Sequence, residues 1–292
     1  MSIALRVVAT DADYEAWRQV RLAVVPAERC DTVAELRRDA SPTRLLVLAE
    51  RDGVVVGSGT ADLAESEGTG FVAPRVLPDL RRQGIGTAIL AGLIDHVAAL
   101  DLPQVRANAE DPAAVAFAEA HGFTESDRQV EQLRAIGTEP HPGPPPAGLE
   151  IVALADRPEL WAQCFERFGQ EVLADFALDN PLHVTADQWN AYWAGDPMFL
   201  ALAENQVVGC AGVDRDTDKP ERGELALTAV RRDWRGRGVA AHLKRLTHHW
   251  AADNGLTQLY TWTQRGNADM RRLNEHLGYT YGTVSVTMSR IR

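Results

Sequence analysis

The sequence predicts an α/β protein made of two copies of one domain, each a mixed sheet covered by helices. Three observations predict it. The chain has 292 residues, which is two domains at roughly 150 residues each. Its halves repeat one another. Leu45-Leu-Val-Leu-Ala-Glu-Arg-Asp-Gly-Val-Val-Val-Gly57 answers to Phe199-Leu-Ala-Leu-Ala-Glu-Asn-Gln-Val-Val-Gly209, Arg81-Arg-Gln-Gly-Ile-Gly86 to Arg235-Gly-Arg-Gly-Val-Ala240, and His121-Gly-Phe123 to Leu277-Gly-Tyr279. The offsets from Gly57 to Gly209, Gly84 to Gly238 and Gly122 to Gly278 are 152, 154 and 156. One long period of this kind marks a duplicated domain and not a solenoid. The third observation is the patterning within each half, where helical and strand periods alternate as a mixed sheet with helical cover requires.

The elements follow in the same order in both copies. An amphipathic helical region comes first, over residues 13–38 and 158–193. A hairpin follows, and Asp52-Gly53 is a strong signal for its tight turn. A third apolar strand is expected over 70–76 and 224–230, and a glycine loop then opens a helix over 87–99 and 241–252. A strand over 104–109 and 258–263, a short helix ending at Gly122 or Gly278, and a last strand close each copy. Asp111-Pro112 reads as an N-cap followed by a proline in the first helical position.

Five of the 15 prolines fall in residues 138–148. Proline fixes φ and has no backbone donor, so this stretch is expected to be extended and outside any sheet. The expected division is residues 1–137, a linker of 138–148, and residues 149–292.

Composition narrows the function. Apolar residues make up 45 % and charged residues 24 %, which is ordinary globular usage. The net charge of −11, from 30 Lys+Arg against 41 Asp+Glu, disfavours nucleic acid and anionic membranes as partners. No apolar run approaches the roughly 20 residues that span a bilayer. The start, Met1-Ser-Ile-Ala-Leu-Arg6, lacks a signal peptide's basic lead and apolar core. Cys30, Cys164 and Cys210 are too scattered for a disulfide framework or a metal knuckle, and read as buried thiols. A cytoplasmic protein with no metal is expected.

The glycine loops carry the chemistry. Each joins a strand to a helix, so its backbone N–H groups converge and the helix adds the positive end of its dipole, which suits a phosphate or pyrophosphate. Neither loop is a Walker motif, because no Gly-Lys-Ser/Thr follows. Neither is a dinucleotide fingerprint, because the first strand of each copy lies far upstream.

Val76-Leu-Pro-Asp-Leu-Arg-Arg-Gln-Gly-Ile-Gly86 and Val230-Arg-Arg-Asp-Trp-Arg-Gly-Arg-Gly-Val-Ala240 resemble the acetyl-CoA loop of the GCN5-related N-acetyltransferase (GNAT) superfamily, Gln/Arg-x-x-Gly-x-Gly/Ala after a Val-x-Pro strand end. The first copy keeps Pro78; the second has Arg232 there. Asn267-Ala-Asp-Met-Arg-Arg-Leu-Asn-Glu-His-Leu-Gly-Tyr279 resembles the family's downstream Asn-x-x-(apolar)…Leu-Gly-Phe segment. Two such units in one chain are similar to the architecture of mycothiol synthases and other actinobacterial tandem acetyltransferases.

The resemblance implies a two-domain fold of GNAT type with acetyl-CoA as cosubstrate. It puts the pyrophosphate on Arg235, Gly236, Arg237, Gly238, Val239 and Ala240, and in the first copy on Arg81, Arg82, Gln83, Gly84, Ile85 and Gly86. The pantetheine arm would bond the strand ends, Leu227, Thr228, Ala229 and Val230, and Val76 with its neighbours back to Ala73. Asn267 is either a cofactor contact or an N-cap.

Amine acetylation needs a base, an oxyanion donor and a leaving thiolate. Glu224, six residues before Val230, stands where the resemblance puts the base; the alternative is a solvated residue at a strand start. The same count back from Val76 gives Gly70, with Glu67 three residues further off, so the first copy is expected to bind CoA without catalysis. Where the family often has an acid Tyr, the copies have Asn274 and Ala118, and Asn274 can only hydrogen-bond the sulfur. Tyr279 reads as a core aromatic, with Tyr281 nearby. Trp189, Tyr192 and Trp193 share one helix face, as core or as acceptor pocket. His183, Asp175 and Asp179 are candidates to meet a cationic acceptor, and His248 and His249 read as helix surface. The expected activity is acetyl transfer to a primary amine of a small molecule through a tetrahedral intermediate, by a monomer or homodimer. The alternatives are a mycothiol synthase and a CoA-responsive module without turnover.

Overall fold

Two units of one design are built from chain segments that are not simply the two halves. The computed structural model describes residues 3–64, 68–176 and 182–291. One compact unit takes the residues up to Ser126 together with those from Val286 onward; the other is Asp127–Ser285.

In the first unit the order is β1 (Ala4–Val7), α1 (Asp11–Val24), α2 (Val33–Arg38), β2 (Leu45–Arg51), β3 (Val54–Ala64), β4 (Thr69–Val76), α3 (Ile85–Ala99), β5 (Gln104–Ala109), α4 (Pro112–Ala120) and the start of β6 (Thr124–Ala135). Thr10 and Thr32 start α1 and α2 with capping boxes closed by Asp13 and Glu35. Asp52 and Gly53 both have positive φ, 52° and 77°, as a two-residue hairpin of right-handed strands requires. Strands β1 to β4 pair antiparallel in sequence order. β4 then pairs parallel with β5, as the crossover through α3 demands. Ile85, Ile89, Leu90, Leu93 and Val97 of α3 cover one face against Val47, Val72 and Val105. Trp17 of α1 covers the other with Leu36, Leu46 and Leu48.

In the second unit the order is β7 (Glu150–Ala153), α5 (Leu160–Cys164), a wide π turn (Phe165–Gly169), α6 (Gln170–Asp175), α7 (Ala186–Tyr192), β8 (Met198–Ala203), β9 (Gln206–Arg215), β10 (Arg222–Leu225), β11 (Ala229–Val230), α8 (Val239–Asp253), β12 (Gln258–Gln264), α9 (Ala268–His276) and most of β13 (Thr280–Ile291). Val230, Val239 and Leu243 pack on one side of the sheet with Val208. Leu160, Cys164, Phe168 and Trp189 pack on the other with Leu200 and Cys210.

Two features depart from the expected organisation. Each unit has a first strand, β1 or β7, ahead of its helices. The closing strands are also exchanged. β5 is paired by Val286–Ile291 from the end of the chain. β12 is paired by β6, with Gln258 opposite Ala135 and Gln264 opposite Gln129. The unit border therefore falls inside β6 and again inside β13, not at residues 138–148. Those residues belong to the second unit and carry no strand, as proline predicts. They are fastened by Glu139, whose carboxylate accepts two hydrogen bonds from Arg134 at 2.8 Å.

Candidate functional site

The two glycine loops have the same backbone. Gly84 and Gly238 are the N-caps of α3 and α8, at φ 79° and 78°, with no side-chain cap. Only glycine adopts that conformation without strain. A Cβ on either would meet nothing within 4 Å, and the same holds for Gly236 at φ +72°. The first backbone bonds of the helices run from Ala88 N–H to the Gly84 carbonyl and from His242 N–H to the Gly238 carbonyl. The amides just before them thus point out of the helix ends. The first arginine of each loop folds back on its strand: Arg235 Nε donates to the Val230 carbonyl at 2.9 Å and Arg81 Nε to the Val76 carbonyl at 3.4 Å. Open space, converging amides and a loop arginine form a donor set that fits a pyrophosphate. In the second unit Asp175 pairs with Arg235 and, at 3.0 Å, with Arg232. That carboxylate, read from the sequence as a candidate to meet a cationic acceptor, is engaged by these two arginines.

The strands before the loops differ. In the first unit β4 runs beside β3 in unbroken register, from Thr69 opposite Ala64 to Val76 opposite Gly57. In the second unit Leu225 lies opposite Val213, but Ala229 lies opposite Cys210. Residues 226–228 therefore stand against two residues of β9, which is a β-bulge. It replaces the single strand expected over 224–230. The Oγ1 of Thr228, inside the bulge, is buried and has no hydrogen-bond partner in the protein. A buried hydroxyl of this kind fits an arm that brings its own amide groups along Leu227 to Val230.

Glu224 is the last residue of β10 paired with β12, opposite Tyr260, before the two strands part. Val213, Leu225 and Leu259 face α8, so Glu224 and Tyr260 face the α5–α7 side. Tyr260 donates its hydroxyl proton to Asp216 Oδ1 at 2.8 Å. Burial first, then the negative charges of Glu224 and Asp216, hold that proton far above the ordinary tyrosine range. Tyr260 therefore stays neutral beside Glu224.

The bulge corrects the comparison with Gly70. Gly70 pairs with Val105, and a Cβ there would meet Val97 of α3 at 2.3 Å. It therefore matches Gly223, which pairs with Leu259. The residue matching Glu224 is Phe71, opposite Arg106. Counting six residues from the loop overlooks the extra residue in the bulge. The first unit also has Pro74 in β4, opposite Gly59, where no backbone N–H is available.

Asn274 is fully buried. Its Oδ1 accepts from Lys244 Nζ at 2.8 Å and its Nδ2 donates to Gln132 Oε1 at 2.9 Å. The side chain thus serves a core network. Lys244 was not singled out by the sequence, yet it is 1 % exposed, and burial lowers its ammonium to about 7. His248 is also buried, a correction to its reading as helix surface. It lies one turn from Lys244 on the packed face of α8, between Tyr279 Oη at 3.0 Å and Arg134 at 2.6 Å, and burial lowers it to about 3. His249 is half-buried beside the Glu139 carbonyl.

Tyr279 is a core aromatic as expected, while Tyr281 is exposed beside Glu275. Asn267 caps α9, accepting from Met270 N–H at 3.3 Å, and Asp111 caps α4, accepting from Ala114 N–H at 2.7 Å. Trp189 is fully buried and stacked between Trp161 and Trp193, so this part of the stripe is core. His183 is exposed. Glu67, Asp179 and the Tyr192 side chain lie outside the described residues. All three cysteines are buried free thiols. Among the described residues no side-chain cluster of metal-ligand type is found, and no helix is long and apolar enough to cross a membrane.

The profile of the Acetyltransferase (GNAT) family matches residues 10–123 and 159–279. A mycothiol acetyltransferase of Stackebrandtia nassauensis is 26 % identical over 284 residues, covering 87 % of this chain and 86 % of that protein. One from Nocardiopsis dassonvillei is 27 % identical over 304 residues, covering 87 % and 89 %. Among solved structures, a tandem GNAT protein from the clavulanic acid biosynthesis pathway superposes with a TM-score of 0.78 at 20 % identity, covering 99 % of this chain and 98 % of that one. A GCN5-related N-acetyltransferase from Sphaerobacter thermophilus superposes with a TM-score of 0.77 at 20 % identity, covering 99 % and 95 %.

Proposed function

The chain belongs to the GNAT acetyltransferase family and is an N-acetyltransferase, and from that premise we propose that its second unit transfers acetyl from acetyl-CoA to a primary amine of a small molecule. The observation that carries the assignment to this unit is the β-bulge of residues 226–228 set directly after Glu224. The bulge ends the sheet pairing beside β12, and Glu224 stands where the gap opens, on the α5–α7 side.

The loop from Arg235 to Ala240 holds the pyrophosphate with its amides and Arg235. Leu227 to Val230 bond the pantetheine arm, and the Thr228 hydroxyl gains a partner there. Acetyl-CoA supplies the activated acyl group. Glu224 takes a proton from the incoming ammonium, directly or through a water, so that the amine can form its C–N bond with the thioester carbon. An amide of the bulge donates to the oxygen on which negative charge develops. A thiol of pKa near 8.5 leaves as thiolate without a strong acid, so no tyrosine need stand at position 274. The first unit holds a second CoA on Arg81 to Gly86 and, with Phe71 and Pro74 on its strand, does no chemistry.

A sharper reading takes the acceptor from the relatives: acetyl transfer to the unacetylated form of mycothiol. The names of the curated relatives favour it, each matched over most of its length. Both readings are tested by thiol release from acetyl-CoA across a panel of amines that includes this compound. Release with one or more amines is expected. Release with simple amines but not with the mycothiol amine defeats the sharper reading. Tight acetyl-CoA binding without release for any amine defeats both.

A further inference from the structure

In the first unit, the face of the sheet beneath α1 holds a polar corner that acetyl transfer does not use. Ser58 on β3 and Arg75 on β4 lie directly opposite one another, so their side chains share a face. That face is the α1 side: Gly57 and Gly59, flanking Ser58, press on Ile89 of α3, and Trp17 of α1 donates to the Gly59 carbonyl at 3.1 Å. Ser58 is fully buried and its Oγ has no partner; Nη1 of Arg75 is buried and has none either. The nearest carboxylate to Arg75 is Glu28, at 3.9 Å from Nη2, beyond hydrogen-bond reach. Glu28 instead serves Arg21, one helical turn after Trp17, at 2.9 Å.

The titratable groups facing Arg75 are Arg21 from α1, Glu28 and the Cys30 thiol from the α1–α2 connection, and Glu110 after β5. Burial, and next the like charge of Arg21, lower the guanidinium to about 10, so the two carboxylates do not compensate it. A buried guanidinium short of a counter-charge is costly unless an anion completes it. The second unit shows that the fold does not need this arrangement. The matching pair there is Cys210 and Ala229, opposite one another and packed in an apolar cluster with Cys164 and Leu200.

We propose that the Ser58–Arg75 corner of the first unit binds the carboxylate of a small molecule. The planar guanidinium fork and the serine hydroxyl match the two oxygens of a carboxylate. The Arg75 side chain keeps 11 % of its surface exposed, beside Glu28 at 27 %. The site uses side chains of β3 and β4 and not the amides of the loop of residues 81–86, and gives this unit a ligand besides a nucleotide.

The test uses trifluoroacetate as the carboxylate probe, with the full chain and fluorine NMR at constant ionic strength. Saturable broadening of the probe, reversed by acetate, is expected. Arg75→Lys keeps the charge and loses the fork, and should weaken binding by about tenfold or more. Ser58→Ala, which removes only the hydroxyl, should weaken it severalfold. Circular dichroism and the unfolding midpoint establish that each variant is folded. The proposal is overturned by absence of saturable broadening with the unaltered chain, or by folded variants that bind as it does. It is also overturned if inorganic phosphate displaces the probe at lower concentration than acetate, which would assign the corner to phosphate.

Discussion

The two units share a loop and part company on the strand that leads into it. Gly84 and Gly238 cap their helices at φ 79° and 78°, and both arginines fold back to a strand-end carbonyl. One strand is continuous and carries Phe71, Pro74 and Arg75; the other is broken by a bulge and carries Glu224, Thr228 and Ala229. Binding a nucleotide tail asks only for backbone amides and small residues, so duplication preserves it at little cost. The proposed chemistry uses a carboxylate at a gap in the sheet, and one inserted residue makes that gap. On the proposed function, the difference between a catalytic and a binding unit rests on a handful of strand positions.

The largest expected effect is on that strand. Glu224→Gln should lower kcat by about 10²–10⁴-fold and leave acetyl-CoA affinity unchanged, measured by steady-state thiol release beside equilibrium binding. Phe71→Gln, its counterpart, should leave turnover unchanged. Unchanged turnover in Glu224→Gln removes the asymmetry.

A second contrast lies in the packed helices after the loops, where α8 buries a lysine and α3 buries only apolar residues. Lys244 falls to about 7 from an ordinary 10.5. Between those values the unfolded chain holds a proton that the folded chain lacks, so stability rises with pH across this window and the penalty is full below it. His248, about 3 against 6.5, gives a similar rise at lower pH. In unfolding curves from pH 4 to 10, Lys244→Met should remove the rise above neutrality and keep the acid one. An unaltered upper rise would mean that Lys244 is not its source.

The smallest effect compares two helix caps. Asp111→Ala and Asn267→Ala should each cost about 1 kcal/mol in denaturant unfolding. If Asn267→Ala also raises the KM for acetyl-CoA, Asn267 touches the cofactor besides capping α9; if KM is unchanged, it is a cap alone.

Much of the fold was legible because its signals are local. Asp52-Gly53, Asp111-Pro112 and the loop glycines declare their turns by backbone chemistry, and the repeat placed most of the elements. Pairing is not local, so the exchange of Val286–Ile291 for part of β6 left no mark in either strand's alternation. The bulge is invisible for the same reason: spacing counts residues, while register depends on the neighbouring strand, which is why Gly70 stood in for Phe71. Lys244, His248 and Arg75 are polar residues on faces that hydrophobicity alone reads as solvent. Only their neighbours, Asn274, Tyr279 and Ser58, reveal that they are inside.

The division of labour is tested most directly by disabling one loop at a time. Gly84→Val and Gly238→Val place a branched side chain at a left-handed φ, and acetyl-CoA stoichiometry and thiol release are measured on each folded variant. Each should lose one of two bound equivalents, with turnover abolished in Gly238→Val and retained in Gly84→Val. Turnover lost in Gly84→Val and kept in Gly238→Val would place the chemistry in the other unit and contradict the account.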